Sequence, residues 1–467
     1  MSETPEDICE RAVGHILKKE FPAAAVLLQE ALVKSPNFPE AWSNRGLCLL
    51  QLGHPFDAIL HFEKAVALRP EKCAEYLNNM GASYFNLLEP DRAIDCYLKS
   101  LEQNPTGPEA LMNMANSLKF KRKLPEAIEY YKKCVTVKPD YSDAHLNLSF
   151  ALLENGEYDE GWKEFEWRWK SDQLPPRGLP YPNWEGEDLN GKHILLYAEQ
   201  GLGDCLQFIR YVTVLKKKYP NSTVSVELRQ PLSRLAKTVP GIDNIYIFGD
   251  KLPKFDFVTP MMSVPRIVGT TLDTIPWDGP YFSIEPERVD AWRQKIEGSS
   301  LNEGYKVGIC WAGQSRPGRP EADAIDKRRS TVLSTFAPLA QIPGIAWVSL
   351  QKNATPEQLQ PPVGMLLGHW MDEADDFYDT AALIQYLDLV ITVDTSVAHV
   401  SAALGKPTWL LSRYDNCWRW LGTREDSPWY PSIRQFVQSE PGEWEPLMKK
   451  VTVELERLVE ENSKKAA

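Results

Sequence analysis

The sequence predicts two kinds of structure in one chain: an α-helical repeat array, followed by two doubly wound α/β domains that face a cleft. Two observations support this fold class. A unit of 34 or 35 residues recurs through the first 170 residues, which is the spacing of a helical repeat protein. Beyond residue 192, short apolar runs alternate with segments of helical periodicity, as in parallel sheets covered by helices on both faces.

Repeat units that begin at residues 39, 74 and 108 align over their whole length. Each unit predicts two short helices, and a closing proline ends the second one. Small side chains let the two helices approach, and large ones fill the space between pairs. The small positions are Gly46, Gly81 and Ala115, then Ala58, Ala93 and Ala127; the large ones are Trp42, Leu77 and Leu111, then Leu49, Tyr84 and Leu118, then Phe62, Tyr97 and Tyr131. With partial copies on either side, this pattern resembles about five tetratricopeptide repeats (TPRs).

The repeat pattern ends in a segment rich in proline and glycine, residues 171–191. Such a composition predicts an extended linker. The predicted boundaries are 1–170 for the repeat array, 171–191 for the linker, 192–303 and 304–436 for the two α/β domains, and 437–467 for a closing helix.

Strands and helices then alternate twice. We predict strands at 193–198, 223–228, 244–248 and 255–259 in the first domain, and at 306–311, 346–350, 389–393 and 408–411 in the second. Helical spacing is seen at 205–219, 334–341, 380–387, 396–404 and 444–461. This order predicts two parallel sheets, whose ligands bind at the carboxyl ends of the strands.

Composition excludes several classes of function. The net charge of −12 argues against a general nucleic-acid-binding protein, which needs a basic face. The eight cysteines form no CxxC pair, so we expect reduced thiols in the cytoplasm rather than disulfides or structural zinc. The polar, acidic start is unlike a signal peptide. No apolar run reaches the ~18 residues that a membrane span needs.

The first candidate site is the sequence Gly201-Leu202-Gly203-Asp204, which follows a predicted strand and opens a helix. Glycine allows close backbone approach, and a helix N-terminus favours anions. Asp204 is placed to accept a proton from a substrate hydroxyl. The alternative is that it only caps the helix, and the spacing does not decide between the two. The third glycine of a dinucleotide fingerprint is missing, which disfavours NAD.

The second candidate is the stretch from Asp394 through Thr395 and Ser396 to His399, again where a strand enters a helix. Its amides and hydroxyls could hold a diphosphate without a metal. The alternatives are that Asp394 and Thr395 are helix caps and that His399 is a hydrogen-bonded histidine of the first turn.

A third group of candidates lies at two further strand ends. Gly313 closes one strand, and a polar loop with Lys327, Arg328 and Arg329 follows it; Gln351 closes the next strand and could touch a ribose or base. A cation in that loop could neutralise a leaving diphosphate, although a basic run is usually a solvated loop. The sequence has no strict DxD, which disfavours a metal-dependent nucleotide-sugar site.

Two segments carry a family resemblance. YAEQGLGD and ITVDTSVAHVSAALGKP are similar to the glycosyltransferase family of the ADP-heptose:lipopolysaccharide heptosyltransferases, and DNCWRWLGTREDSPWYP resembles its TPR-fused branch. The resemblance implies the GT-B fold, with two Rossmann-like domains that bind acceptor and donor respectively. It also implies an inverting transfer from a nucleotide-diphosphate sugar that needs no metal ion and no other cofactor.

The resemblance assigns roles residue by residue. Asp204 matches the family's general base. Asp394, Thr395 and His399 match the element around the donor diphosphate, and one of Lys327, Arg328 and Arg329 matches the cation that meets it. Ser396 stands where the lipopolysaccharide enzymes have glycine, so the donor stays open among ADP-, GDP- and UDP-linked sugars. The binding residues we predict are Gly201, Gly203, Gly313, Arg329, Gln351, Asp394, Thr395, Ser396 and His399.

The repeat array suggests that the acceptor or partner is a protein segment bound along its concave face. The sequence therefore favours a protein glycosyltransferase. Two alternatives stay open: an enzyme that modifies lipopolysaccharide or another glycan and uses the repeats only for docking, and a non-catalytic TPR scaffold with a vestigial transferase domain.

Overall fold

The computed structural model describes residues 3–171, 177–314 and 320–466. The chain divides into two compact units. The first comprises Met1–Asn155 and Lys163–Pro176, and the second comprises Gly156–Trp162 and Arg177–Ala467. The first is helical, and the second contains both sheets.

The repeat region folds into helices joined by short turns, which confirms the predicted helical array. The helices are α1 (Pro5–Leu17), α2 (Phe21–Lys34), α3 (Pro39–Gln51), α4 (Pro55–Leu68), α5 (Ala74–Asn86), α6 (Pro90–Gln103), α7 (Pro108–Phe120), α8 (Leu124–Val137), α9 (Ser142–Glu154) and α10 (Tyr158–Phe165). The first eight helices pack as four successive pairs, α1 with α2, α3 with α4, α5 with α6 and α7 with α8. Helix α9 packs against α8 and against the 3₁₀ turn Glu166–Lys170.

The repeat spacing has a steric cause that the structure makes visible. A Cβ atom built on Gly46 would lie 2.8 Å from the ring of Phe62, and one on Gly81 would lie 2.5 Å from the ring of Tyr97. Both distances are shorter than van der Waals contact. The small eighth residue of each unit is therefore required by the aromatic residue at its twenty-fourth position.

The second unit contains a four-stranded parallel sheet of order β3-β2-β1-β4. Its strands are β1 (His193–Tyr197), β2 (Thr223–Leu228), β3 (Asn244–Ile247) and β4 (Phe257–Pro260). The accompanying helices are α11 (Leu202–Phe208), α12 (Tyr211–Lys218), α13 (Ser233–Ala236), α14 (Val264–Val268) and α15 (Pro286–Glu297). The central strand β1 pairs with β2 and β4, and it delivers the chain to α11.

A six-stranded parallel sheet follows, with order β10-β9-β8-β5-β6-β7. Its strands are β5 (Tyr305–Cys310), β6 (Ile345–Ser349), β7 (Leu367–His369), β8 (Leu389–Val393), β9 (Thr408–Ser412) and β10 (Ile433–Val437). Its helices are α16 (Pro320–Arg329), α17 (Phe377–Tyr386), α18 (Ser396–Ala403) and the closing α19 (Trp444–Ala466). Leu447, Val451 and Leu455 of α19 are buried in the core of this sheet, as its amphipathic pattern predicts.

The parallel α/β architecture is confirmed, and several element predictions need correction. The predicted helix 334–341 is two 3₁₀ turns, Leu333–Phe336 and Leu339–Gln341, because Pro338 between them has no N–H for a continuous helix. The predicted helix 205–219 is divided into α11 and α12. Strands β7 and β10 were not predicted, since β7 has three residues and β10 contains polar side chains at its centre.

No helix in the described ranges combines the length and the apolar composition needed to cross a membrane.

Candidate active site

The first two candidate motifs lie in contact with each other. The Gly-rich turn, residues 201–204, leads from β1 into α11, and the 394–399 element leads from β8 into α18. A Cβ atom built on Gly203 would lie only 2.8 Å from Cδ2 of His399. Glycine is therefore needed at position 203 for the two elements to approach, and the structure brings both predicted motifs to one place.

Asp204 has both carboxylate oxygens engaged. Oδ2 accepts the backbone N–H of Gly201 at 2.7 Å, which is the helix-capping role that the sequence left open. Oδ1 forms an ion pair with Nη2 of Arg419. The Asp204 side chain retains 17% of its exposure, so it is shielded but still reachable from solvent.

Arg419 is a site residue that the sequence reasoning missed. It is only 9% exposed, its Nε donates to Oε1 of Gln207 at 3.0 Å, and its guanidinium lies 4.3 Å from the ring centroid of Trp418. Burial acts to lower the pKa of this guanidinium, but Asp204 and other negative charges raise it above its ordinary value. The one available signal was an arginine between two tryptophans, Trp418 and Trp420, both buried.

His399 is a neutral, buried imidazole. Its Nδ1 lies 3.0 Å from the hydroxyl of Tyr430, and its ring stacks on Trp420 with centroids 5.3 Å apart. Burial lowers the pKa of His399 to about 3, and the positive charge of Arg419 adds to the effect. The ring is therefore uncharged at neutral pH and acts through hydrogen bonds.

The hydrogen-bond partners of the hydroxyl groups near His399 favour one of its two tautomers. Arg210 donates to the hydroxyl oxygen of Tyr281 at 3.1 Å, and Tyr281 donates its own proton to the carbonyl of Leu206 at 2.8 Å. Tyr430 lies 3.4 Å from the Tyr281 oxygen but 3.0 Å from Nδ1 of His399. The hydroxyl of Tyr430 therefore donates its proton to Nδ1 of His399. The imidazole then carries its own proton on Nε2, beside the Gly-rich turn.

The start of α18 is capped by its own side chains. Oγ1 of Thr395 accepts the N–H of Val397 at 3.3 Å and lies 3.3 Å from Oγ1 of Thr392, so the capping alternative for Thr395 is realised. Ser396 is the first residue of the helix and is half-buried, as is Asp394. The backbone carbonyl of Asp394, rather than its carboxylate, accepts from Nη1 of Arg329 at 2.9 Å.

The three basic candidates, which the sequence placed in a loop, form the last turn of helix α16, and they have different surroundings. Arg329 contacts Asp394 and lies against Gly313, where an added Cβ would be 2.7 Å from Nη2; it also pairs with Asp326 at 2.6 Å. Arg328 pairs with Asp415 at 3.1 Å. The Lys327 side chain is 77% exposed. Of the three, the structure places Arg329 beside the 394–399 element.

The side chain of Gln351 forms hydrogen bonds with the backbone immediately after β5. Its Oε1 accepts the N–H groups of Trp311 at 3.2 Å and Ala312 at 3.0 Å, and its Nε2 donates to the carbonyl of Ala312 at 3.1 Å. The side chain therefore shapes the loop that contains Gly313. Within the described residues, no three His, Cys, Asp or Glu side chains cluster closely enough to hold a metal ion.

Comparison with known protein families gives matches in both units. Residues 376–443 match the profile of glycosyltransferase family 9 (heptosyltransferase), and residues 39–72, 74–106 and 108–141 match tetratricopeptide repeat profiles. The chain carries TPRs and a glycosyltransferase family 9 domain. This domain supports assignment of the protein as a glycosyltransferase, heptosyltransferase-like, and its matched span contains the 394–399 element, Arg419 and Tyr430.

One relative is similar to this chain over most of its length. Protein FlbA of Caulobacter vibrioides is 26% identical over 465 residues, which is 94% of this chain and 70% of FlbA. Hsp70-Hsp90 organizing protein 2 of Arabidopsis thaliana is 35% identical over 104 residues, 22% of this chain and 18% of that protein.

Solved structures give weaker similarity. MamA from Desulfovibrio magneticus RS-1 is 19% identical, covers 37% of this chain and 99% of its own, and has a TM-score of 0.32. That score is too low to support an argument.

Proposed function

We propose that this protein is an inverting, metal-independent glycosyltransferase of GT-B architecture, which moves a sugar from a nucleotide-diphosphate sugar to an acceptor hydroxyl. The observation that carries the proposal is the contact between Gly203 and His399. It brings the proposed base, Asp204, to the same place as the proposed diphosphate element. The family 9 domain supports the reaction class.

The proposed chemistry needs only side chains and backbone amides. Asp204 removes the proton of the acceptor hydroxyl while its oxygen attacks the anomeric carbon. The bond from that carbon to the diphosphate oxygen breaks, and the electron pair leaves with the nucleoside diphosphate. The N-terminal amides of α18 and a cationic side chain stabilise the charge that develops on the leaving group.

Arg329 is the cation we propose for this role, and no metal ion or other cofactor is required. It lies next to Gly313 and the 394–399 element, and its buried Nε–H finds no hydrogen-bond acceptor among the described residues. A diphosphate oxygen would supply one. Thr395 and Ser396 are proposed to contact the same diphosphate, while Gln351 shapes the loop near the nucleoside. The proposal does not choose among ADP, GDP and UDP as the nucleotide of the donor.

The acceptor we propose is a protein segment bound by the repeats in the cytoplasm. Supporting this, asparagine recurs at the sixth position of four successive units, at Asn44, Asn79, Asn113 and Asn147. Neighbouring amides also connect units, since Asn113 donates to Asn78 at 3.0 Å. Amide side chains pair well with the backbone of an extended peptide. The eight cysteines are all unpaired thiols, which fits a reducing compartment.

The experiment that tests this function has two steps. A thermal-shift screen of ADP, GDP, UDP, CDP and their sugar conjugates, with EDTA present, identifies the donor through its stabilisation of the full chain. Hydrolysis of that donor and transfer to co-purified protein or to a lipopolysaccharide core are then measured. Transfer to protein supports the proposal, and transfer only to glycan supports the heptosyltransferase alternative. Absence of any nucleotide shift would favour the scaffold and contradict the proposal.

A further inference from the structure

The structure shows both oxygens of the proposed base engaged with groups of the protein. One oxygen of Asp204 accepts the N–H of Gly201 at 2.7 Å, and the other is paired with Arg419. A general base needs an oxygen within hydrogen-bond reach of the hydroxyl that it deprotonates. An acceptor hydroxyl that approaches Oδ1 has to share this oxygen with Arg419, so movement of Arg419 frees it for the hydroxyl.

We propose that Arg419 is a switch with two alternative partners, the carboxylate of Asp204 and the diphosphate of the donor, so that donor binding itself releases the base. This inference rests on the proposed function and adds a residue and an order of events to it: the donor binds first, and the acceptor is deprotonated second.

The position of Arg419 allows the exchange. Its guanidinium is paired with Asp204 of the Gly-rich turn, and the next residue in the chain, Trp420, stacks on His399 with ring centroids 5.3 Å apart. It is thus close to both proposed substrate elements. A buried guanidinium without a counter-charge is strongly unfavourable, so an anion must replace Asp204 when it leaves. A diphosphate is a stronger partner, because it presents several oxygens to the fork of N–H groups.

Arg419 is carried by a short turn and not by a long helix. Arg419 lies in the three-residue 3₁₀ turn Trp418–Trp420 between β9 and β10. The next two residues, Leu421 and Gly422, have left-handed φ angles of 51° and 68°. Apart from Asp204, the hydrogen bonds of the guanidinium go to neutral groups, Gln207 and the Sγ of Cys417.

Three other arginines near the 394–399 element have different partners. Arg329 is paired with Asp326 of its own helix, and Arg328 is paired with Asp415. Arg210 donates to the backbone carbonyls of Gln207 and Trp429. In the part of the chain that the structure describes, none of the three is paired with Asp204. Arg419 is thus the cation whose movement changes the availability of Asp204.

Sugar transfer follows the movement of Arg419. With Arg419 on the diphosphate, the acceptor O–H bond breaks and its proton goes to Oδ1 of Asp204. The acceptor oxygen bonds to the anomeric carbon, and the carbon–oxygen bond to the diphosphate breaks. The nucleoside diphosphate leaves with the electron pair, Asp204 returns its proton to solvent, and Arg419 pairs with Asp204 again.

The switch makes a prediction that a static ion pair does not. Because Asp204 and the diphosphate compete for one guanidinium, removing the charge of Asp204 must tighten nucleotide binding. Isothermal titration calorimetry on the full chain, with whichever of ADP, GDP, UDP and CDP binds, measures this. We expect Asp204→Asn to tighten binding about 5- to 10-fold and Arg419→Met to weaken it roughly 10-fold or more.

The double variant decides whether the two effects share one cause. Asp204→Asn combined with Arg419→Met should bind like Arg419→Met alone, because the competing partner no longer matters. Arg424→Met removes an exposed charge that pairs with Asp426 in the same inter-strand segment, and it should leave affinity unchanged. Circular dichroism establishes that each variant is folded, and Arg419→Lys, which keeps the charge, should bind closer to wild type than Arg419→Met.

The outcomes separate this inference from the proposed function. If Asp204→Asn abolishes turnover but does not tighten nucleotide binding, or tightens it equally in the Arg419→Met background, the switch is wrong and the glycosyltransferase mechanism stands. If no nucleotide binds the wild-type chain, the result contradicts both the proposed function and the switch.

Discussion

Gly203 and His399 are in such close contact that an alanine side chain does not fit between them: its Cβ would lie 2.8 Å from Cδ2 and 3.3 Å from Nε2 of the imidazole. The two residues come from helices that follow strands of different sheets. Their contact therefore fixes the distance between the two halves of the proposed site, and replacing the glycine tests how much the site depends on that distance.

We expect Gly203→Ala to give a folded protein with a damaged site. The added methyl group must displace His399, at a cost of about 1–3 kcal/mol in the free energy of unfolding, and donor hydrolysis should fall sharply. Thermal denaturation and a hydrolysis assay measure the two effects. Gly14→Ala is the control, because nothing lies within 4 Å of its Cβ and a helical alanine should stabilise by about 0.5–1 kcal/mol. Unchanged hydrolysis in Gly203→Ala would place the chemistry elsewhere.

Tyr430→Phe tests the hydrogen bond that sets the tautomer of His399. Without the hydroxyl, Nδ1 has no donor at 3.0 Å, so the proton can move from Nε2 to Nδ1. We expect nucleoside diphosphate affinity to fall about fivefold, and the ¹⁵N shifts of His399 to move toward the other tautomer. Tyr386→Phe, whose hydroxyl bonds only to Glu297 at the surface, should change neither. Identical ¹⁵N shifts in wild type and Tyr430→Phe would refute the assignment.

The pKa of His399 predicts a specific acid sensitivity. Burial lowers this pKa from 6.5 to about 3, so below about pH 6.5 the unfolded chain binds a proton here that the folded chain does not. The contribution of neutral His399 to the free energy of unfolding is complete above pH 6.5 and is lost as the pH falls toward 3. The Tm of wild type should therefore decrease more steeply between pH 6.5 and 4 than that of His399→Gln. Exposed His54→Gln should keep the wild-type slope, and equal slopes for wild type and His399→Gln would show that His399 is not buried as described.

Substitution of the basic residues identifies the cation that meets the diphosphate. Arg329→Met should weaken nucleoside diphosphate binding about 10-fold, because Arg329 lies between Gly313 and Asp394. Lys327→Met is the matched control from the same helix, since its side chain is largely exposed, and it should bind like wild type. Calorimetry gives both affinities, and the reverse order would assign the role to Lys327.

The sequence predicted the elements that repeat or that join a strand to a helix. Phe62 and Tyr97 recur at one repeat spacing, and the turns at Gly203 and Thr395 follow buried strands, so local pattern was sufficient for both. The family 9 resemblance also came from these short segments.

The missed features depend on contacts distant in sequence. Arg419 is in a segment without periodicity, and only folding brings it to Asp204, 215 residues away in the chain. Likewise, the sequence shows Gln351 only as a polar residue at a strand end. In the structure its side-chain amide forms hydrogen bonds with the backbone N–H and carbonyl of Ala312. Strand β10 was hidden because Gln435 at its centre is polar and yet buried. Such pairings are set by tertiary structure, which local spacing does not encode.

The rates of donor hydrolysis by wild type and Asp204→Asn, measured with EDTA and at saturating nucleotide sugar, show whether Asp204 is the base of a metal-independent transferase. We expect wild type to release nucleoside diphosphate without a metal ion. We expect a loss of about 10²- to 10⁴-fold in Asp204→Asn, with donor binding at least as tight as in wild type. Equal rates in the two proteins, or hydrolysis that requires a metal ion, would contradict a mechanism in which Asp204 is the base.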